Sequence, residues 1–227
     1  MGKKKGEPVR KLIQGIIEFH QKRRDAVKET FAKLALGQKP DALFIACSDS
    51  RVAVNVFAST DPGDLFVVRN AGNLVTPSET SSSDESEVAA IEFALDKLKV
   101  GHIIVCGHSD CGAMKALCQG RSRLDLPYLK SWLRHGDAAL ARVRSQGKEL
   151  TEPEEINEVS RQNVMLQLEH LRSYDSVARL EKEGRLALHG LWFDIQNTDV
   201  YYVDPQEGQF KIIDEVNGPG ILSRLKS

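Results

Sequence analysis

The chain predicts an α/β fold: a mainly parallel sheet in strand order 2-1-3-4 with an antiparallel edge addition, helices on both faces and an N-terminal helical arm. Three observations carry this. Short apolar runs at 42–46, 65–68 and 103–106 are bounded by turn residues, as strands buried in a parallel sheet are. Stretches with apolar residues at helical spacing follow and precede these runs, which suits the crossover connections of parallel strands. The first and third runs both end abruptly in polar residues, Cys47-Ser48-Asp49-Ser50-Arg51 and Gly107-His108-Ser109-Asp110-Cys111-Gly112. Ligands gather where neighbouring strands leave their carboxyl ends at a topological switch, so strands one and three are placed side by side, with strand two outside strand one.

The chain opens with Lys3-Lys4-Lys5, and residues 1–8 read as a disordered basic start. Residues 9–227 read as one domain, with a helical arm over 9–36 and a sheet core over 41–227. In the arm, Leu12, Ile16, Phe19, Val27, Phe31 and Leu34 recur on one helical face, but Gln21-Lys22-Arg23-Arg24-Asp25 breaks the stripe. This implies two helices or one exposed arm, packed on its own domain or across a neighbouring subunit. Gly37 ends the helix and Gln38-Lys39-Pro40 turns the chain into strand one.

A short helix near 52–58 leads to the Pro62-Gly63 turn and strand two. Residues 77–83 read as a polar loop. Ser82 with Glu85, or Asp84 with Glu87, caps the next helix, whose face is Val88, Ile91, Leu95 and Leu98 and which Gly101 closes. Beyond strand three a helix runs from Cys111 to Cys118, and a longer one from Pro127 to Gly147 through Leu129, Trp132, Leu133, Leu140 and Val143. Thr151 and Glu154 form a capping pattern around Pro153, and Ser173 caps a last helix that stops at Gly184. Strands at 186–193, 200–203 and 210–213 complete the sheet, and Gly218-Pro219-Gly220 reads as a turn.

With 31 Lys plus Arg against 32 Asp plus Glu, the net charge of -1 gives no bulk electrostatic case for binding nucleic acid or an acidic membrane. No apolar run approaches the roughly 20 residues of a membrane span, and no signal-peptide core follows the lysines, so a cytoplasmic protein is expected. Four cysteines in 227 residues are too few for a disulfide framework. Two of them lie beside charged, ligand-type neighbours, which favours a reducing compartment and metal binding.

The strand order brings Cys47, His108 and Cys111 together. Two thiolates and one imidazole suit zinc, and three protein ligands leave a fourth position open for chemistry. The same three residues also read as buried cysteines with a satisfied histidine. Asp49 is close enough in sequence to reach a metal held by Cys47, and Arg51 to hold that carboxylate away by paired hydrogen bonds. The pair also reads as a structural turn clamp. Cys106, Cys118, the remaining histidines, Trp132 and Trp192 read as structural, and Arg69 and Asn70 as braces for the turn under the site.

Cys47-Ser48-Asp49-Ser50-Arg51, Val68-Arg69-Asn70-Ala71-Gly72-Asn73 and Gly107-His108-Ser109-Asp110-Cys111-Gly112, in this order and spacing, resemble the motifs of the β-class carbonic anhydrases. The resemblance spans about residues 9 to 215. It implies reversible hydration of carbon dioxide to bicarbonate and a proton, with one zinc per subunit bound by Cys47, His108 and Cys111. A hydroxide on that zinc would be oriented by an Asp49–Arg51 dyad, with Asp49 as the fourth ligand in a closed state. Gln38 matches the family's glutamine whose amide meets the substrate or bicarbonate oxygen. Phe66, Ala71 and Phe93 fall where the family lines its carbon dioxide pocket from the neighbouring subunit, and Gly112 joins that pocket, so a homodimer or a tetramer of dimers is implied. One subgroup is switched off by bicarbonate in a pocket that includes a tryptophan three residues before the first cysteine. Phe44 stands there, which favours the plant-like, open-site form. Phe93 lacks the hydroxyl of the family's common tyrosine and Ala71 is smaller than the usual valine; a roomier pocket would admit carbonyl sulfide or carbon disulfide.

Overall fold

The computed structural model describes residues 7–83, 85–204 and 207–225. It divides into two compact units, 1–39 and 40–227. In the first, α1 (Glu7–Glu18) and α2 (Arg24–Leu34) are joined by a π-helical turn, Phe19–Arg23, where the polar stretch breaks the stripe. Of the basic start expected over 1–8, residues 1–6 lie outside the described residues, and Glu7 and Pro8 belong to α1. Leu12, Ile13, Ile16, Ile17 and Phe19 are all exposed.

The second unit is built on β1 (Ala42–Cys47), β2 (Leu65–Asn70), β3 (His102–His108), β4 (Ala187–Asp194), β5 (Asp199–Val203) and β6 (Phe210–Ile212). Their order in the sheet is β2-β1-β3-β4-β5-β6. The first four strands run parallel, and β5 and β6 add antiparallel at one edge. This is the predicted topology, extended by the last two strands. β2 reads apolar but is only half-buried, because it forms the opposite edge.

Alternation along the strands divides the core between the two faces. Leu43, Ile45, Ile103 and Val105 point to one face, beneath Ile91, Leu95, Val164, Leu168, Leu171 and Val177. These come from α4 (Glu85–Glu92) with the π-helical turn Phe93–Leu98, α8 (Glu152–Arg172) and α9 (Asp175–Lys182). Phe44, Ala46 and Cys106 point to the other face, with Val54 and Phe57 of the short α3 (Val54–Phe57). A third cluster gathers where β1 and β3 end, around Cys47, Leu74 and Cys111. It packs Met114 and Leu117 of α5 (Gly112–Cys118) with Leu133, Val143 and Val159.

Several expected boundaries move, each for a local reason. Lys99, in the left-handed region at φ 58°, closes the helix before β3 by donating its N–H to Ala94, so Gly101 is not the stop. The expected long helix is two, α6 (Pro127–Trp132) and α7 (Asp137–Ser145), separated by a 3₁₀ turn, Leu133–Gly136. In that turn a Cβ on Gly136 would meet Leu117 Cδ1 at 2.7 Å. Thr151 and Glu154 do form a capping box. Ser173 does not cap α9, whose N-cap is Tyr174; its hydroxyl donates to the His170 carbonyl and accepts from the Ser78 N–H. Glu87 accepts from the Thr76 N–H and hydroxyl. Asp84 lies outside the described residues, as do the side chains of Ser82 and Glu85. The polar loop at 77–83 contains a 3₁₀ turn, Ser78–Ser83, and Gly218-Pro219-Gly220 opens a helix, α10 (Gly218–Arg224).

α8 lies unusually close to the sheet because two strand residues facing it are glycines. A Cβ on Gly107 would meet Val164 Cγ2 at 2.8 Å and the Ser160 carbonyl at 3.2 Å. One on Gly190 would meet Val203 Cγ2 at 2.7 Å and Val164 Cγ1 at 2.9 Å. The close approach lets Ser160 Oγ donate to the His108 carbonyl at 2.8 Å while accepting from Trp192 Nε1 at 3.1 Å. Gly190→Ala is therefore expected to destabilise the fold by about 1–3 kcal/mol, the usual cost of an extra methyl in a packed core, read as a lower urea midpoint at unchanged slope.

Candidate metal centre

Among the described residues one trio of ligand-type side chains converges, Cys47, His108 and Cys111, with all ligand atoms within 4.8 Å of one another. Their exposures are 6%, 0% and 0%. Cys47 is the last residue of β1, His108 the last of β3, and Cys111 immediately precedes α5. Two parallel neighbours thus deliver their ends to one point, as the sequence predicts.

The donor set passes a specific test for a metal. His108 Nδ1 lies 2.8 Å from the Ser109 carbonyl, which assigns it as the N–H donor and leaves the Nε2 lone pair free. Nε2 is buried and makes no hydrogen bond. A fully buried imidazole nitrogen without a partner is costly, and a cation between it and two sulfurs would satisfy it. The two sulfurs lie close enough for the charge on one to oppose ionisation of the other. The Cys47 thiol is pushed down from the ordinary thiol range, first by the neighbouring Cys111 thiol and also by the Gly72 N–H, against its own burial. Cys111 is pushed well above the ordinary thiol range, first by its hydrogen bond with Cys47 and then by burial. Residues that stabilise one thiolate in a buried place fit a borderline-soft cation, which would hold both sulfurs deprotonated.

The turn after β2 wraps Cys47. The Gly72 N–H points at Cys47 Sγ, 3.4 Å away, and the Gly72 carbonyl accepts from Asn163 Nδ2. Gly72 has φ +87°, and a Cβ there would meet Ala113 Cβ at 2.9 Å, so only glycine fits. The Asn70 amide clamps both polar groups of Leu74. Arg69 donates to the carbonyls of Cys47 and Asp49 at 2.7 Å each. Both residues brace the turn, as expected.

Asp49 and Arg51 form a fork. Arg51 Nε donates to Asp49 Oδ1 at 3.0 Å and Nη2 to Oδ2 at 2.8 Å, while the Arg51 N–H adds a bond to Oδ1 at 2.9 Å. The Arg51 hydrogen bond holds the Asp49 carboxyl well below the usual carboxylate range, and the guanidinium is raised in return. Arg51 also donates to the Asp110 carboxylate and carbonyl.

The other expected site residues divide. Phe66 and Phe93 meet, with ring centroids 5.8 Å apart. Ala71 lies in a groove of about 590 Å³ with Val68, Tyr128 and Trp132, and its carbonyl accepts from Trp132 Nε1 at 2.8 Å. Gly112 has open space where a side chain would stand. Gln38 belongs to the unit 1–39. Cys106 is fully buried and pushed up to about 12 by that burial, and burial raises Cys118 to about 11, consistent with inert thiols. His102 and His189 meet at the opposite end of the strands, and burial, then His102, lowers His189 to about 4.

Sequence reasoning missed Gly72, Asp110, Asn157 and Ser160 as parts of the site. Only the first carried a signal, as a glycine in a turn directly after a strand.

The family model described as "Carbonic anhydrase" matches residues 42–200. A carbonic anhydrase of Pseudomonas aeruginosa is 40% identical over 202 residues, covering 89% of this chain and 90% of that one. The solved structure of the β-carbonic anhydrase CcaA superposes with a TM-score of 0.87 at 36% identity, over 92% of this chain and 94% of that one.

The chain is a member of the β-carbonic anhydrase family.

A structure of β-carbonic anhydrases from Sordaria macrospora, described as tetrameric, matches at a TM-score of 0.75 and 27% identity, over 90% of this chain and 99% of that one. For a β-carbonic anhydrase the Cys47, His108, Cys111 trio fits a metal site in both its chemistry and its burial. No helix among the described residues is long and apolar enough to cross a membrane.

Proposed function

We propose that the protein is a carbonate dehydratase that interconverts carbon dioxide and bicarbonate, with Cys47, His108 and Cys111 holding one zinc per subunit. The observation that carries the proposal is the buried, unpartnered His108 Nε2 facing two sulfurs, beside a carboxylate held in an arginine fork. When bound, zinc supplies a Lewis acid that makes hydroxide available near neutral pH. The protein's own residues do the rest. Asp49 stays charged and accepts a hydrogen bond from a proton-bearing group of the reactant, which fixes its direction of attack. Arg51 keeps the carboxylate turned toward itself, so the centre adopts the open form. Gln38, Phe66, Ala71, Phe93 and Gly112 complete the proposal as the surroundings of the substrate, on the strength of the family resemblance. Homodimers that pair into tetramers, in a cytoplasm that keeps the two thiolates reduced, complete the assembly, supported by the tetrameric relative.

The test is the rate of carbon dioxide hydration by stopped flow on zinc-verified protein over about pH 6.5 to 9, which straddles the range in which a bound metal sets the acidity of water. Because the Arg51 bonds hold the Asp49 carboxyl well below the usual carboxylate range, the Asp49–Arg51 attraction is fully present above that range and is lost only as pH falls through the lowered pKa, far below this window. The dyad is therefore expected not to titrate in the window, and activity should rise through a single one-proton transition. A fall at the low end steeper than one proton would show Asp49 leaving Arg51. Turnover of carbon disulfide or carbonyl sulfide without hydration of carbon dioxide would move the assignment to those substrates.

A further inference from the structure

Arg51 is gripped from two sides, and only one of them belongs to the dyad. Its Nη1 donates to Asp110 Oδ2 at 2.9 Å and its Nη2 to the Asp110 carbonyl at 3.0 Å. Together with the fork onto Asp49, four of the five guanidinium N–H groups are directed. Asp110 is itself fixed. Its backbone is left-handed at φ 51°, a conformation open chiefly to Gly, Asn and Asp. Its N–H donates to Asn157 Oδ1 of α8 at 2.8 Å, and the same helix bonds the His108 carbonyl through Ser160. A chain of bonds therefore runs from α8 through Asn157 and Asp110 to Arg51.

We infer that Asp110 is a positioning residue, which locks the rotation of Arg51 so that its fork stays on Asp49; this rests on the proposed role of the dyad. A single exposed ion pair orients little, because a long side chain keeps its rotamer freedom. The Arg51 side chain is 43% exposed and that of Asp110 69%, so this ion pair adds little to stability. What it adds is direction. A planar guanidinium held on both edges cannot turn without breaking bonds to two carboxylates.

The test compares zinc-loaded wild type, Asp110→Gly and Asp110→Asn in crystal structures and in carbon dioxide hydration. Glycine accepts the left-handed backbone, so the first variant removes the carboxylate without strain, and asparagine keeps an oxygen that accepts from Arg51. Asp110→Gly is expected to retain zinc, to show Arg51 in more than one conformer, and to lose kcat by about three- to tenfold, between the effect of a surface ion pair and that of a group orienting the site directly. Asp110→Asn should restore one Arg51 conformer and most of kcat. A single Arg51 conformer in its wild-type place in Asp110→Gly overturns the inference. So does unchanged kcat in that variant while Asp49→Ala is slowed by about 10- to 100-fold. If Asp49→Ala is fully active, the dyad reading has failed by itself, and the Arg51 conformers alone decide the role of Asp110.

Discussion

Cys47→Ser is expected to abolish zinc binding and carbon dioxide hydration while leaving the sheet folded. Serine is close in size to cysteine, and Cys47 ends β1, where its backbone carbonyl remains available to Arg69. What changes is the donor. A serine hydroxyl stays protonated near neutral pH and is a poor partner for a borderline-soft cation, whereas Cys47 is already inclined to the thiolate by Cys111 and the Gly72 N–H. The two ligands that remain, His108 and Cys111, cannot hold the ion against a chelator. Zinc per chain, measured by elemental analysis after dialysis against a chelator, should fall to background. Turnover should drop by more than about a hundredfold, beyond the cost of losing a group that merely orients a ligand. Unchanged zinc content would remove Cys47 from the ligand set. Cys106→Ser serves as the control, because that thiol lies within β3 and faces the core; it should retain zinc and cost only stability.

The order of the first four strands and the meeting of Cys47, His108 and Cys111 were legible because each rests on a local signal. An apolar run that stops at a ligand-type residue marks a strand end, and the topological rule then joins two such ends. The rest of the site depends on bonds between residues far apart in sequence, which no periodicity records. Asn157, polar and half-buried on α8, reads from sequence as a solvated helix residue, yet it fixes the loop carrying Asp110. Gly107 and Gly190 read as weaknesses in strands, and their role emerges only when α8 is packed over them. The helix ends failed for a related reason. Lys99 takes a left-handed conformation although Gly101 is nearby, since the chain must turn immediately into β3. Ser173 is drawn from its expected cap by the Ser78 backbone, a partner supplied by tertiary contact.

Asp49→Ala separates metal binding from catalysis and is the sharper test of how the centre works. Asp49 is not one of the converging ligands, and both of its oxygens are taken by Arg51, so its removal should leave zinc content at the wild-type level. Arg51 keeps its bonds to Asp110 and stays near its place. What is lost is the one charged acceptor positioned by the fork, whose carboxyl lies so far below the usual range that it is ionised at every working pH. Turnover should fall by about 10- to 100-fold, the range typical for groups that orient the chemistry at a metal, with the loss in kcat rather than in zinc affinity. Asp49→Asn refines the result: its amide oxygen still accepts from Arg51, so geometry is largely preserved while the charge is gone. If the charge and acceptor capacity matter, Asp49→Asn will be nearly as slow as Asp49→Ala. If the carboxylate serves only as a clamp on the turn, Asp49→Asn will run at close to the wild-type rate. Full activity in both variants, with zinc in place, would remove the dyad from the mechanism and leave the three ligands to act alone.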